Sequence, residues 1–225
     1  RTEYGYLTET GVVSRTGTPL RGNVYFIFQD SGHNLWIATK GEGLVKAEPQ
    51  GEMRYKLTRY QHRKDDIYSL SDDNVYCVYE DDKGRIWVAT FGGGINYLTR
   101  NRDGKEIFVN HRNNLKGFPI DKCHKVRFIT GDHQGNIWIA TTVGALMVNG
   151  SFKNPEDAVF HHYLRVQDDM YSLSNNDVHW ILSTRKKELY LATFGGGLNK
   201  LLSVNADGHA RFRSYCVEDG LPSDI

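Results

Sequence analysis

Three observations predict an all-β fold built from four-stranded antiparallel sheets, the blades of a β-propeller. The first is a repeat. Trp36, Trp87 and Trp138 stand 51 residues apart, and Tyr190 follows 52 residues after Trp138. Each opens a W/Y-x-A-T block that ends at Thr39, Thr90, Thr141 or Thr193. The second is a frame around that block. Twelve residues before each aromatic sits a valine (Val24, Val75, Val126, Val178), and three residues after each valine sits Ile27, Val78, Ile129 or Ile181. The third is what is missing: no run carries apolar residues at helical spacing, as a helical solenoid would need. A four-stranded unit recurring every 40 to 50 or so residues is the sequence mark of a propeller blade. The chain reads as about four complete blades of a larger propeller.

Each blade element follows from local composition. The first strand of a blade begins at the valine and is rich in β-branched and aromatic residues; in a propeller it lies nearest the axis. A polar turn comes next, Asp81-Asp82-Lys83-Gly84 in the second repeat. The second strand carries Trp36, Trp87, Trp138 or Tyr190, a large ring suited to burial between neighbouring blades. The alanine and threonine after it allow close sheet stacking, so the whole block reads as packing rather than chemistry. Glycine-bearing turns follow (KGEG, FGGG, TVGA, FGGG), where positive φ or close backbone approach is expected. A third strand comes next, then polar segments such as Glu48-Pro49-Gln50-Gly51 and Asn205-Ala206-Asp207-Gly208, expected as turns. The outer strands are expected over residues 55–62, 106–112, 159–166 and 210–217. The connector DDIYSLSDDN before Val75 recurs almost letter for letter as DDMYSLSNND before Val178. In these connectors Leu70 and Leu173 read as plugs of the blade junction, and the Asp and Ser residues as turn caps.

The boundaries expected from this frame are a preceding blade's end and connector over 1–21, with Tyr4 to Leu7 as a strand, and the first blade over 22–62. Connector and blade then run over 63–112, 113–166 and 167–217, and residues 218–225 start a fifth blade. The chain is thus expected to be part of a longer array.

The run Leu70-Ser71-Asp72-Asp73-Asn74-Val75, then Asp81 to Gly84, Ile86-Trp87-Val88-Ala89-Thr90 and Gly93-Gly94-Ile95 resembles the two-component regulator propeller repeat. The fourth repeat departs most, with Thr184-Arg185-Lys186-Lys187 at the Asp/Gly turn and Tyr190 for Trp. The resemblance implies the periplasmic sensor region of a hybrid two-component histidine kinase. In such proteins the repeats form seven-bladed propellers, followed by a β-sandwich, a membrane helix and the kinase. It also implies an inner-membrane anchor in the parent, oligosaccharides from complex glycans as the signal and transcription as the output.

Composition excludes some alternatives. A formal net charge of +1 with no Lys/Arg block gives nucleic acid no electrostatic handle. No apolar run is long enough to span a membrane. The three cysteines, Cys77, Cys123 and Cys216, are too few and too scattered for a disulfide framework, and Cys77 reads as a small buried hydrophobe. Adjacent His161 and His162 point to opposite faces of a strand, and the Asp pairs fall in turns. Neither a metal site, a cofactor nor a glycosidase pair is therefore expected.

Function is expected where the repeats differ, because repeated residues serve the shared fold. The residue after each valine is Tyr25, Tyr76, Arg127 or His179. The residue after each threonine is Lys40, Phe91, Thr142 or Phe194. These eight are expected to form a partial ring on the face carrying the connectors and glycine turns, extended by Asn74 and Asp177 at its rim. Aromatics mixed with hydrogen-bonding groups suit a sugar, whose apolar faces stack while its hydroxyls need donors and acceptors. The leading expectation is a non-enzymatic sensor propeller. The alternatives are a propeller lyase using Arg127 with His179, and a protein-interaction scaffold. Uncovered blade faces predict partners as well: flanking blades of the parent, self-association of the isolated chain, or a homodimer.

Overall fold

The structure, a computed structural model, describes residues 5–224. Tyr4 and Ile225, placed above in flanking strands, lie outside the described residues. A short ladder of β1 (Tyr6–Leu7) and β2 (Val13–Ser14) comes first. Four four-stranded antiparallel sheets follow. The first is β3 (Asn23–Gln29), β4 (Leu35–Lys40), β5 (Leu44–Gly51) and β6 (Arg54–Tyr60). The second is β7 (Val75–Glu80), β8 (Ile86–Thr90), β9 (Gly94–Arg100) and β10 (Glu106–Asn110). After a one-turn helix, α1 (Ile120–Cys123), the third is β11 (Val126–Gly131), β12 (Asn136–Thr141), β13 (Gly144–Asn149) and β14 (Phe160–Tyr163). The fourth is β15 (Val178–Ser183), β16 (Leu189–Thr193), β17 (Gly197–Val204) and β18 (Ala210–Tyr215). In every sheet the strands pair in chain order, and the described sheets do not close into a ring.

The tryptophans stack the blades. Trp36 shares a buried cluster with Val75, Val78 and Val88 of the next sheet. Trp87 and Trp138 lie in one large cluster joining the second, third and fourth sheets. All three rings are fully buried, and losing one is worth about 3–5 kcal/mol. Each indole N–H donates to an aspartate six residues earlier: Trp36 to Asp30, Trp87 to Asp81 and Trp138 to Asp132, all at 2.8 Å. The fourth repeat replaces both partners at once, with Thr184 and Tyr190. Its β15–β16 hairpin forms nonetheless, because Lys187 takes φ 64 where Gly84 and Gly135 serve the second and third blades.

The threonines close the glycine turns. Thr39, Thr90, Thr141 and Thr193 donate their hydroxyls to the carbonyls of Gly43, Gly94, Gly144 and Gly197. Those turns latch onto the entry to the next blade. The Gly43, Gly94 and Gly144 amides donate to the carbonyls of Asp73, His124 and Asn176. At Gly197, with φ +69, a Cβ would stand 2.2 Å from the Tyr215 carbonyl oxygen, so only glycine fits.

Some expected boundaries shift. Glu48-Pro49-Gln50-Gly51 is not a turn but the end of β5, and the chain reverses at Glu52–Met53. This stretch overhangs β4, whose pairing stops at Ala47, so the missing amide of Pro49 costs no ladder bond on that side. The outer strand of the third blade is shorter than expected. Val166 has left the sheet, and its amide bonds to the Ser172 hydroxyl. Leu70 and Leu173 are fully buried in their connectors.

Candidate functional site

The first strand of every blade is bulged at one place. Val24 pairs with Thr39 and Phe26 with Ala38, so Tyr25 has no partner across the ladder. The same shift skips Tyr76, Arg127 and His179. An extra residue in one strand is left outside the pairing and re-aims its side chain. It also explains the valine-plus-three spacing. Strict alternation would put residues three apart on opposite faces, yet Val75 and Val78 are buried in one cluster while Cys77 between them lies in another.

The four bulge residues join into a continuous arc across the blades. Tyr25 stacks on Tyr76 with ring centroids 4.4 Å apart. Tyr76 stacks on Phe91 at 4.7 Å. The Arg127 guanidinium lies over the Phe91 ring at 5.4 Å, beside the Lys125 ammonium at 5.7 Å. Arg127 grips Asp177 with both arms, at 3.1 and 3.3 Å. The His179 Nε2 lies 3.6 Å from Oδ2 of that carboxylate, and its ring stacks on Phe194 at 5.5 Å. Burial, then the Tyr25 phenol beside it, push the Tyr76 phenol above its ordinary value, so it stays a neutral hydrogen-bonding group at neutral pH.

Of the ten expected residues, the structure therefore brings Tyr25, Tyr76, Phe91, Arg127, Asp177, His179 and Phe194 into contact. Asn74 belongs to the backbone frame: its carbonyl receives the Phe91 amide. Among the described residues, no hydrogen bond, ion pair or ring contact ties the side chains of Lys40 or Thr142 to the arc. Lys40 is exposed at the end of β4, and the Thr142 amide bonds to the Lys125 carbonyl.

One contact was not foreseen. Phe26, Phe128 and Trp180, from three different blades, pack together. Phe128 stacks on Trp180 at 3.8 Å, and Phe26 packs edge-on against Phe128 at 6.0 Å. They occupy one repeat position, whose fourth member is the buried Cys77. A repeat position that is aromatic in three blades was the signal available for this contact. Among the described residues, no group of three or more His, Cys, Asp or Glu side chains is placed to hold a metal ion.

Comparison with known proteins gives concordant results. A family model described as "Two component regulator propeller" matches residues 69–92, the repeat that carries the sequence resemblance most fully. Histidine kinase P4 of Formosa agariphila is 28% identical over 87 residues, which is 39% of this chain and 6% of that protein. The extracellular domain of a protein described as a hybrid two component system from B. thetaiotaomicron superposes with a TM-score of 0.64 at 21% identity. That match covers 95% of this chain and 26% of the other, so the chain spans about a quarter of that relative. Virginiamycin B lyase from Staphylococcus aureus superposes with a TM-score of 0.60 at 14% identity, over 92% of this chain and 62% of the lyase. The structural likenesses establish the propeller fold. The resemblance to the two-component regulator propeller family rests on the family match and the kinase relative.

Proposed function

We propose that this chain is part of the periplasmic sensor propeller of a hybrid two-component histidine kinase, and that the arc from Tyr25 to Phe194 is its ligand-contacting surface. The observation that carries the site is the repeated bulge. Each blade places its bulge residue on that surface, and those residues are Tyr, Tyr, Arg and His while the bulge itself recurs in all four blades. The ligand class is an oligosaccharide. Tyr25, Tyr76 and Phe91 form an apolar platform against which sugar rings stack, and Arg127, Lys125, Asp177 and His179 supply fixed donors and acceptors beside it. Signalling requires that the ligand bind two arrangements of the parent unequally. The parent is read as anchored in the inner membrane, with control of transcription as its output.

Catalysis is the second reading, because Asp177 holds Arg127 and His179 together as a lyase would need an acid–base pair to be held. Glycan-array binding separates the two. The sensor reading expects retention of an oligosaccharide unchanged, lost on Tyr76→Ala. Turnover of that glycan, abolished by Arg127→Ala with His179→Ala, would replace it with the enzyme reading. Binding indifferent to all three substitutions would remove the arc from the site.

Two faces of the array are bare. Val24 and Ile27 are about half exposed, although Val75, Val126 and Val178 at Val24's position are fully buried. On the far side Trp180, Leu182 and Tyr190 line an apolar hollow of about 310 Å³. We propose that flanking blades of the parent cover both. The isolated chain is then expected to self-associate through them, and a monodisperse monomer in light scattering would count against this.

A further inference from the structure

The duplicated connectors form one structure twice, but only one copy is sealed. In the first, the Ser69 hydroxyl accepts from the Arg63 amide and reaches the Asp66 carbonyl, and the Phe108 amide of the next blade bonds to the Tyr68 carbonyl. In the second, Ser172 does the same with Val166 and Asp169, and the Phe212 amide bonds to the Tyr171 carbonyl. The residues that follow the outer strand differ. After β10, the Arg112 guanidinium folds over the first connector and donates to the Arg63 carbonyl at 2.9 Å and the Ser69 hydroxyl at 3.3 Å. Asn110 seals the same place by donating to the Ser69 carbonyl. After β18, Ser214 stands where Asn110 does and Cys216 where Arg112 does, by the strand registers. Among the described residues, neither side chain donates a hydrogen bond to the connector, and the Cys216 thiol turns to Glu218 and Asp219. A hollow of about 840 Å³ opens there, lined by Val166, Asp169, Ser172 and Ser214 among others.

We infer that this hollow binds a guanidinium group, the side chain of an arginine presented by a peptide or protein partner. The internal repeat shows what its walls accept, since an arginine occupies the equivalent space 100 or so residues earlier in the same chain. Two of the four partners of Arg112 have counterparts: the Val166 carbonyl for that of Arg63, and the Ser172 hydroxyl for that of Ser69, while the His62 ring, 3.2 Å from Arg112, is replaced by Arg165. The backbone departs at Asp168, with φ 62, so the Gln167 carbonyl is not counted among them. The charge favours a cation more than in the sealed copy. Val166 and Gln167 replace Arg63 and Lys64, which removes two positive charges. Arg165, which lines the hollow in the place of His62, adds one back, and the acidic pair Asp168–Asp169, also in the lining, is kept. A planar guanidinium presents five donors in a fixed fork, whereas an ammonium presents three from a single nitrogen.

The test is calorimetric titration with N-acetyl-arginine amide. One equivalent is expected to bind the unmodified chain, with the lysine analogue about tenfold weaker or worse. Cys216→Arg supplies the missing seal from within and is expected to abolish binding. Arg112→Ala opens the first connector and is expected to add a second equivalent. Absence of binding to the unmodified chain, equal affinity for the lysine analogue, or binding unchanged by Cys216→Arg would each overturn the inference. Should Cys216→Arg fail to fold, the stoichiometry of Arg112→Ala decides instead, and a value that stays at one equivalent overturns it.

Discussion

Replacing Asp81 by alanine is expected to be among the most damaging single changes in the chain. Its carboxylate is buried, with the side chain only 1% exposed. It accepts from the Trp87 indole at 2.8 Å, the Arg85 Nε at 2.6 Å, and the backbone amides of Lys83 and Arg85 at 3.0 and 2.9 Å. Arg85 in turn lies over Trp87 and Phe152 and donates to the Gly150 carbonyl, so the cluster ties the second blade to the third. Alanine leaves four donors without their acceptor: the indole N–H, the guanidinium Nε and the Lys83 and Arg85 amides. The cost is about 3–5 kcal/mol, the range of a broken buried ion pair with its orphaned donors. For a domain of this size that corresponds to a fall in Tm of about 10 °C. The assay is thermal denaturation against Asp82→Ala, whose exposed carboxylate should matter by no more than about 0.5 kcal/mol. A double-mutant cycle of Asp81→Asn with Trp87→Phe is expected to show coupling of about 1 kcal/mol. If Asp81→Ala melts with Asp82→Ala, the paired loss of aspartate and tryptophan in the fourth blade has some other cause.

Acid should act through the same groups. Burial pushes the Asp30 and Asp81 carboxyls up, but hydrogen bonds from Asn34 and Trp36, or from Trp87 and Arg85, outweigh it and hold both below their ordinary value of 3.8. Their contribution is therefore full above that value and lost as pH falls through the lower native one. Stability measured from pH 5 down to pH 2 is expected to decline less steeply in Asp81→Asn, and parallel profiles would refute this. Gly197→Ala forces a left-handed alanine against the Tyr215 carbonyl and is expected to lose more than about 1 kcal/mol in chemical denaturation, whereas Gly41→Ala, with open space around its Cβ, should lose less. All three thiols are free, and burial pushes that of Cys77 up to about 12. Cys123 is raised by burial and Cys216 by the Glu218 carboxylate beside it. A thiol reagent should reach only the partly exposed Cys216 before unfolding, and labelling of Cys77 in the native state would show that the blade junction opens.

Much of this architecture was legible because a repeat prints its packing rules several times. The three buried W-x-A-T blocks, the glycine turns and the plugging leucines all follow from residues that recur. What escaped depends on register. The spacing of three between Val75 and Val78 was plain, but its meaning as a bulge appears only once Thr90 and Val88 are seen opposite them. The Glu48–Gly51 stretch has turn residues, yet whether a proline breaks a strand depends on which edge is paired. The arc was legible as positions but not as contacts: Arg127 and His179 meet only because Asp177, taken as a rim residue, sits between them. Lys40 and Thr142 occupy the right repeat positions, but among the described residues no hydrogen bond, ion pair or ring contact joins their side chains to the arc.

The bulge separates what the fold needs from what the surface presents, and that separation can be tested by deletion. In the second blade, Val75 pairs with Thr90, Cys77 with Ala89 and Val78 with Val88. Removing Tyr76 leaves those three pairs intact and restores strict alternation, with Val75 and Val78 on one face and Cys77 on the other. The lost stacking on Tyr25 and Phe91 is worth about 1–3 kcal/mol. Removing Cys77 instead forces Tyr76 into a fully buried position opposite Ala89, where overpacking by a phenol adds to the loss. Deletion of Tyr76 is therefore expected to leave a folded protein that has lost its oligosaccharide binding, and deletion of Cys77 a far less stable one. If the two deletions prove equally disruptive, Tyr76 is part of the packing. The variation among Tyr25, Tyr76, Arg127 and His179 would then have to be explained by the neighbours of each blade rather than by what it binds.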